Sequence, residues 1–448
     1  MIKDMTKGNP SKILLSFAMP MILSGMFQQF YNIADSVIAG NFAGVDALAA
    51  IGASYPITML FIAIATGSGI GCSIIISQLF GFKDYTKTKT AIFTAIISIT
   101  TLSILLTILG NILCSHIIKL LNTPQNIFDD SSLYLRIYVL GLIFLFIYNI
   151  GTSTFNALGD SKTPLYFLIF SSMLNIILDL IFMAGFNMGV AGAAWATFIA
   201  QGISSILTIV YLFYTIKKIE TKNPPKYFEF NMLIKMSKIA IPSIIQQSIV
   251  SLGQLFIQAL VNSFGSNVVA GYSAAIKIDS FFKIIAIIMG NSVSSFTAQN
   301  IGAKKLDRVI DGKNSAIKAM LIYSVASAII IFIFKNNFIG FFIDSDSNKE
   351  VIKIGVSYLT ITSLFYFPFS LLMISNGILR AFSKMKSFMF ITLTNLFLRV
   401  FLSYFLANFI GYNSIWWSIV TGWIVGMILG IICVKITISS QVKKVPLG

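Results

Sequence analysis

Long apolar stretches separated by short polar clusters run the whole length of the 448-residue chain. A helix that crosses the hydrocarbon core of a bilayer needs roughly 20 apolar residues, and these stretches are that long or longer. Reading between the charge clusters predicts twelve spanning helices, near 13–39, 50–80, 91–115, 134–156, 164–185, 189–216, 236–262, 268–301, 314–340, 354–379, 387–410 and 413–440. The first stretch, from Ile13 to Gly40, is too long for a cleaved secretion signal and has no small-residue cleavage pattern, so it is read as a retained first span.

Composition supports the same class. The chain is 56% hydrophobic and only 11% charged, with a mean hydropathy of +0.86, whereas a soluble domain carries about a quarter charged residues. The expected fold class is therefore an all-α polytopic membrane protein. A net charge of +16 would suggest nucleic acid in a soluble protein. Here most of it follows topology: with the N-terminus cytoplasmic, one side of the membrane collects 24 Lys and Arg and the other only 5. That alternation, loop by loop, predicts both termini inside and a multi-pass protein of the plasma (inner) membrane. Trp416 and Trp417 then fall at the outer end of the last span, where interfacial aromatics belong. No soluble domain remains to bind nucleic acid, and the expected state is a monomer in lipid.

The polar interruption from Lys217 to Lys238, with Pro224-Pro225, separates two sets of six spans. The expected domains are an N-terminal lobe at 1–216, a cytoplasmic linker at 217–235 and a C-terminal lobe at 236–448. A repeat relates them: Ala18-Met19-Pro20 matches Ala240-Ile241-Pro242, Gly44-x-Asp46-x-x-Ala49 matches Gly265-x-Asn267-x-x-Ala270, and Gln78-x-x-Gly81 matches Gln299-x-x-Gly302. Asn156 and Asn175 pair with Asn376 and Asn395 at a separation of 220, which sets Arg399 opposite Asp179. An even number of spans per half gives the two pseudo-symmetric six-helix bundles one orientation, an arrangement that flanks the pathway in secondary transporters.

Six ionisable residues remain inside the spans: Asp35, Asp179, Lys277, Asp279, Lys283 and Arg399. Charges at membrane depth cost about 2.5–3.5 kcal/mol on insertion scales, so each needs a partner, a wet cavity or a function. Asp35 follows Gln28 and Asn32 at helical spacing, and Asn175 and Asp179 are four apart, with Thr197 able to face them across the short hairpin around Met188. Two carboxylates with amide and hydroxyl oxygens suit a hard cation such as Na⁺, and equally a proton, because paired charge is costly away from water. A purely structural role, hydrogen bonds between helices, is the alternative. Asp279 and Lys283, four apart, read as an ion pair, and Arg399 fits a structural or a substrate role equally.

Other chemistry has little support. Gly67-x-Gly69-x-Gly71 lies inside an apolar helix with no strand before it and reads as close helix packing, not as a dinucleotide fingerprint. No G-x-x-x-x-G-K-[ST] is present, so energy from bound ATP is not expected. One His (His116) and three scattered Cys (Cys72, Cys114, Cys433) offer neither a disulfide framework nor clustered metal ligands. No enzyme activity and no cofactor are expected.

Several segments together resemble the multidrug and toxic compound extrusion (MATE) family, in its DinF-like branch. They are Pro20-x(7)-Gln28-Gln29-x-Tyr31-Asn32-x-x-Asp35, Gly44-x-Asp46-Ala47-Leu48-Ala49-Ala50-Ile51-Gly52, Gln78-x-x-Gly81, Asn156-Ala157-Leu158-Gly159-Asp160 and Asn175-x-x-x-Asp179. The resemblance covers nearly the full chain. It implies two six-helix lobes around a cavity of alternating access, and export of hydrophobic organic cations or similar small-molecule drugs against inward H⁺ or Na⁺. It also implies a cation-coupling cluster at Asp35, Asn175, Asp179 and Thr197, the set that would hold Na⁺. Candidates to line the substrate cavity are Gln28, Asn32, Asn156, Gln254, Asp279 and Arg399. Other branches keep essential acids in the C-terminal lobe, where this chain offers Gln254, Gln258 and Ser370. Arg399 departs from a cation site there. A lipid-linked oligosaccharide flippase of the same superfamily is the alternative, and the acids gathered in one lobe argue against its basic cavity.

Overall fold

In lipid every backbone amide must be bonded within its own segment, so apolar stretches of this length become helices. The computed structural model describes residues 2–43, 45–121, 123–342 and 349–442. Gly44, Asp344, Asp346, Lys443 and Lys444, which entered the repeat and the charge count, lie outside them. Along the chain the helices are α1 (Pro10–Ile38), α2 (Val45–Gly81), α3 (Tyr85–Leu120), α4 (Gln125–Leu140), α5 (Leu142–Ala157), α6 (Lys162–Asp179) and α7 (Gly189–Lys217), then α8 (Phe230–Ser263), α9 (Ser266–Gly302), α10 (Leu306–Gly340), α11 (Lys349–Ser363), α12 (Tyr366–Ala381), α13 (Met385–Ile410) and α14 (Asn413–Val442).

Among the described residues helices cover all twelve predicted stretches; nine are long and apolar enough to cross a membrane, and two more spans are bent pairs. α4 and α5 bend by 46° at Gly141, and α11 and α12 bend by 54°. α9 is long enough to span although it carries Lys277, Asp279 and Lys283. Two π-helical turns, Ala39–Ala43 after α1 and Leu180–Gly185 after α6, were not expected; they pack on each other.

The repeat is visible in backbone geometry. After α2, Lys83 takes a positive φ while the Lys83 and Asp84 amides bond the carbonyls of Phe80 and Leu79; after α9, Lys304 and Lys305 do the same to Ile301 and Asn300. After α5, Gly159 is left-handed and the amides of Gly159 and Asp160 bond Asn156 and Phe155; after α12, Ser383 and Lys384 bond Arg380 and Leu379. These are Schellman-type helix ends. The first pair is separated by 221 residues and the second by 224, and α4 and α11 also begin 224 apart. The sequence register of 220 therefore fails in the second part of each half, where three extra residues precede α11. In the corrected register Asn156 matches Arg380, Asn175 matches Arg399, Asp179 matches Ser403 and Tyr134 matches Tyr358.

Contacts divide the chain into two compact units. The first comprises Met1–Asp4 and Leu23–Ser248, the second Met5–Ile22 and Ile249–Gly448. α1 and α8 are each shared, and each contains a proline near the division, Pro20 and Pro242. Within the first unit, the glycine triplet is a packing surface as expected: an added Cβ would sit 2.7 Å from the Ile244 backbone nitrogen at Gly67, 2.4 Å from Ser153 Oγ at Gly69 and 2.6 Å from Ala240 Cα at Gly71. In the second unit α9 and α12 meet as closely, with a Cβ at Gly377 only 2.1 Å from the Gly290 carbonyl oxygen. That unit also holds Met5–Gly8: Arg308 donates to the carbonyls of Met5, Lys7 and Gly8, and Met5 N–H donates to Gln299 Oε1.

Candidate functional site

In the first unit, α1, α4 and α6 bring five of the polar side chains together. Asp35 and Asp179 place their carboxyls side by side, within hydrogen-bond reach of each other. Asp179 is 0% exposed, and neither of its oxygens receives a hydrogen bond from an N–H or O–H donor. A carboxyl opposite a carboxyl can bond it only if one of them carries a proton. The pair is thus complete only with a proton between the oxygens or a cation against them, because two bare charges this close would repel by about 4 kcal/mol even at an effective dielectric of 20.

The surrounding groups fix the pair. Tyr31, one turn before Asp35, donates its hydroxyl to Asn175 Oδ1 at 2.7 Å, locking α1 to α6 one turn from Asp179. Asn175 is buried, and its Nδ2 has no acceptor. The Tyr31 and Tyr134 phenols both lie within electrostatic range of the two carboxyls, and Tyr134 stacks with Tyr138 across one turn of α4, centroids 6.3 Å apart. Thr197 on α7 spends its hydroxyl hydrogen on the Ala193 carbonyl at 3.0 Å, so it offers a lone pair, the polarity a cation needs.

Local backbone explains the placement. Asp179 is the last residue of α6 before the π-helical turn, and Asp35 lies one turn before the other π-helical turn. Such turns shift the helical ladder and recur at functional sites; here they re-aim the ends of α1 and α6 beside the two acids. The oxygens brought together here, two carboxyls beside the Asn175 amide, fit a hard cation or a proton. Sequence reasoning missed the tyrosines. The i, i+4 spacing of Tyr134 and Tyr138, like that of Tyr31 and Asp35, was the available signal.

The remaining candidates are dispersed. In the first unit Gln28 and Asn32 are exposed, and Asn156 lies at the far end of α5 with a buried, unpaired Oδ1. In the second unit Gln254 is exposed, Gln258 donates to Asn262 Oδ1 at 2.9 Å, and the buried Ser370 donates to the Tyr366 carbonyl at 2.8 Å. Asp279 is 0% exposed and fully engaged: it accepts from Tyr366 at 2.9 Å and Tyr358 at 2.8 Å, and pairs with Lys283 as the i, i+4 spacing predicts. Lys277 lies over the Phe342 ring. Arg399 is half-buried beside the Tyr272 hydroxyl.

Comparison with known proteins agrees with this architecture. The MatE family profile matches twice, at residues 20–181 and 242–405, so its two copies start 222 and end 224 residues apart. The chain is 31% identical over 383 residues to the probable multidrug resistance protein YpnP of Bacillus subtilis, covering 85% of each. It is 23% identical to an FAD transporter of Shewanella oneidensis over 86% of each chain, and 22% identical to the multidrug export protein MepA of Staphylococcus aureus over 78% of this chain and 77% of that one. Among solved structures, an outward-facing multidrug resistance MATE transporter of the MOP superfamily superposes with a TM-score of 0.92 at 22% identity, covering 98% of both chains. A twelve-helix polytopic membrane protein carrying the family's repeat in both halves, this chain belongs to the MATE family, whose members are transporters rather than enzymes.

Proposed function

We propose that the chain is a secondary active multidrug efflux antiporter, exporting hydrophobic organic cations or similar drugs in exchange for H⁺ or Na⁺ by alternating access. The observation that carries this reading is the buried Asp179 carboxyl, whose oxygens lack donors and lie beside the Asp35 carboxyl. A relative named as a multidrug resistance protein at 31% identity supports the substrate class. The coupling site is Asp35, Asn175 and Asp179, with Tyr31 orienting the amide, Thr197 supplying a further oxygen and Tyr134 closing the wall.

The mechanism follows from charge. An empty pair is anionic and attracts an organic cation; loading by H⁺ or Na⁺ lowers its negative charge and weakens that attraction. Antiport requires ion and drug to have different affinities for the two facing states. Ion loading lets the ends of α1 and α6 repack around their π-helical turns. Pro20 and Pro242 lie in the two helices shared between the compact units. Each removes an amide donor from its helix, which gives α1 and α8 a place to bend as the lobes at 1–216 and 236–448 exchange facing about the linker at 217–235. Both termini lie on the cytoplasmic side of the plasma membrane in this reading, as the loop charges indicate.

The test is ethidium transport in proteoliposomes with a pH gradient and a Na⁺ gradient imposed separately. Ethidium gradients formed under one of them, and lost when it is collapsed, are expected; movement indifferent to both would overturn antiport. The flippase alternative requires a cavity for a pyrophosphate, and the unpaired buried oxygens of the first unit do not favour one.

A further inference from the structure

The corrected repeat register places two corresponding polar clusters in the chain, and their charge is opposite. In the first unit the cluster of Tyr134, Asn175 and Asp179 carries the negative charge: both Asp179 oxygens are buried and unpaired, as is the Asn175 Nδ2. At the matching positions the second unit has Tyr358, Arg399 and Ser403. The unpaired groups there are donors: Arg399 Nε is buried without an acceptor, and so is the indole N–H of Trp416, a residue 0% exposed. Both lie around Tyr272. The Arg399 guanidinium is within hydrogen-bond reach of its hydroxyl, and Trp416 stacks on its ring at 5.6 Å, interplanar angle 9°. Tyr358 meets the same indole edge-on at 4.9 Å.

Asp279, which acts on the same Tyr272 hydroxyl as Arg399, does not supply the missing acceptor. Asp279 already receives two tyrosine hydroxyls and pairs with Lys283, so both its oxygens are used. The Lys283 charge is cancelled by Asp279, and the Arg399 charge is left over. Buried polar groups without partners are rare and call for an explanation, and the unpaired Nε belongs to a charged group, the costlier kind. Arg399 is only half-buried, so a solute can reach it.

We propose that the second unit carries an anion site in which the Arg399 guanidinium and the Trp416 indole N–H bind the carboxylate or phosphate of an amphiphilic solute. An anionic group supplies the acceptors that both donors lack and the charge that Arg399 lacks, and a charge-assisted guanidinium contact is among the stronger hydrogen bonds available. The site lies wholly within the second unit and does not depend on antiport by the acid pair.

The test uses purified full-length protein in nanodiscs without any gradient, carrying Trp195→Phe so that only the three tryptophans of α14 emit. Four aryl bromides of similar size serve as quenching probes: 4-bromobenzoate, 4-bromophenyl phosphate, neutral 4-bromobenzyl alcohol and cationic 4-bromobenzylamine. Saturable quenching by at least one anionic probe, at a concentration at least tenfold below the neutral and cationic ones, is expected, and the two anions identify which headgroup is taken. Arg399→Gln should weaken that binding tenfold or more, Arg399→Lys less, and Trp416→Phe measurably, while Asp179→Asn leaves it unchanged. Equal half-saturation for all four probes in the protein with Arg399 intact overturns the proposal, as does undiminished anion binding in folded Arg399→Gln. The comparison among probes decides even if Arg399→Gln does not fold.

Discussion

Asp179→Asn separates charge from shape at the centre of the candidate site. The amide is nearly isosteric with the carboxyl, so packing around α6 is preserved, but only one carboxyl is left, and a proton or cation can no longer be held between two. One-for-one exchange of a monovalent ion for ethidium moves no net charge, so the ion's concentration gradient alone drives it: a tenfold H⁺ or Na⁺ gradient, about 1.4 kcal/mol, sustains roughly a tenfold drug gradient. Removing the pair should reduce that ratio to about one. Folding should not suffer, because Asp179 has no donor to lose and its replacement removes a buried charge from beside another. The assay is ethidium accumulation in energised everted vesicles, paired with thermal unfolding of purified protein in detergent. The reasoning is refuted if Asp179→Asn, or equally Asp35→Asn, sustains the normal gradient, or if transport is lost only in step with a collapse of the melting temperature.

Further outcomes follow from the packing and the second unit. Gly377→Ala puts a methyl 2.1 Å from the Gly290 carbonyl oxygen and should cost about 1–3 kcal/mol by overpacking, read as lower thermal stability; Gly52→Ala, with nothing within 4 Å of the added Cβ, should be neutral or better. Lys283→Met strands the fully buried Asp279 and should cost about 3–5 kcal/mol, whereas Asp279→Asn leaves a lysine with 21% of its side chain exposed and should cost less; melting in detergent orders the two. Asp160→Ala removes the carboxylate that accepts from the Lys162 and Thr163 amides and the Thr163 hydroxyl at the start of α6, a loss of about 0.5–2 kcal/mol measurable by the same unfolding assay.

What could be read in the sequence was what the bilayer enforces. Spans, the broad repeat and the isolated in-span acids stand out because lipid leaves few ways to satisfy a backbone and few reasons to keep a charge. Asp35 and Asp179 were legible as acids, and Asp279 with Lys283 as a pair, since helical spacing alone brings the latter into contact. Three other features were hidden. The tyrosines around each acid look apolar in a hydropathy trace, although Tyr31, Tyr358 and Tyr366 act through their hydroxyls. The three-residue offset before α11 vanished into apolar sequence, and only the matching left-handed turns at Gly159 and Ser383 revealed it; the sequence register had set Arg399 against Asp179 instead of Asn175. The π-helical turns left no trace, because a one-residue widening of a helix needs no special residue type. Nor does periodicity show that α1 and α8 are each divided between the two compact units, since that depends on contacts far apart in the chain.

The central claim is that drug and coupling ion compete for one acid pair, and ion release upon drug binding tests it most directly. Purified protein in weakly buffered nanodiscs, loaded at its coupling pH or with radioactive Na⁺, is mixed with ethidium while released H⁺ or Na⁺ is counted. The account predicts about one ion released per ethidium bound, and none from the Asp35→Asn/Asp179→Asn double variant. Ethidium binding with no ion released, or release undiminished in the double variant, would contradict it.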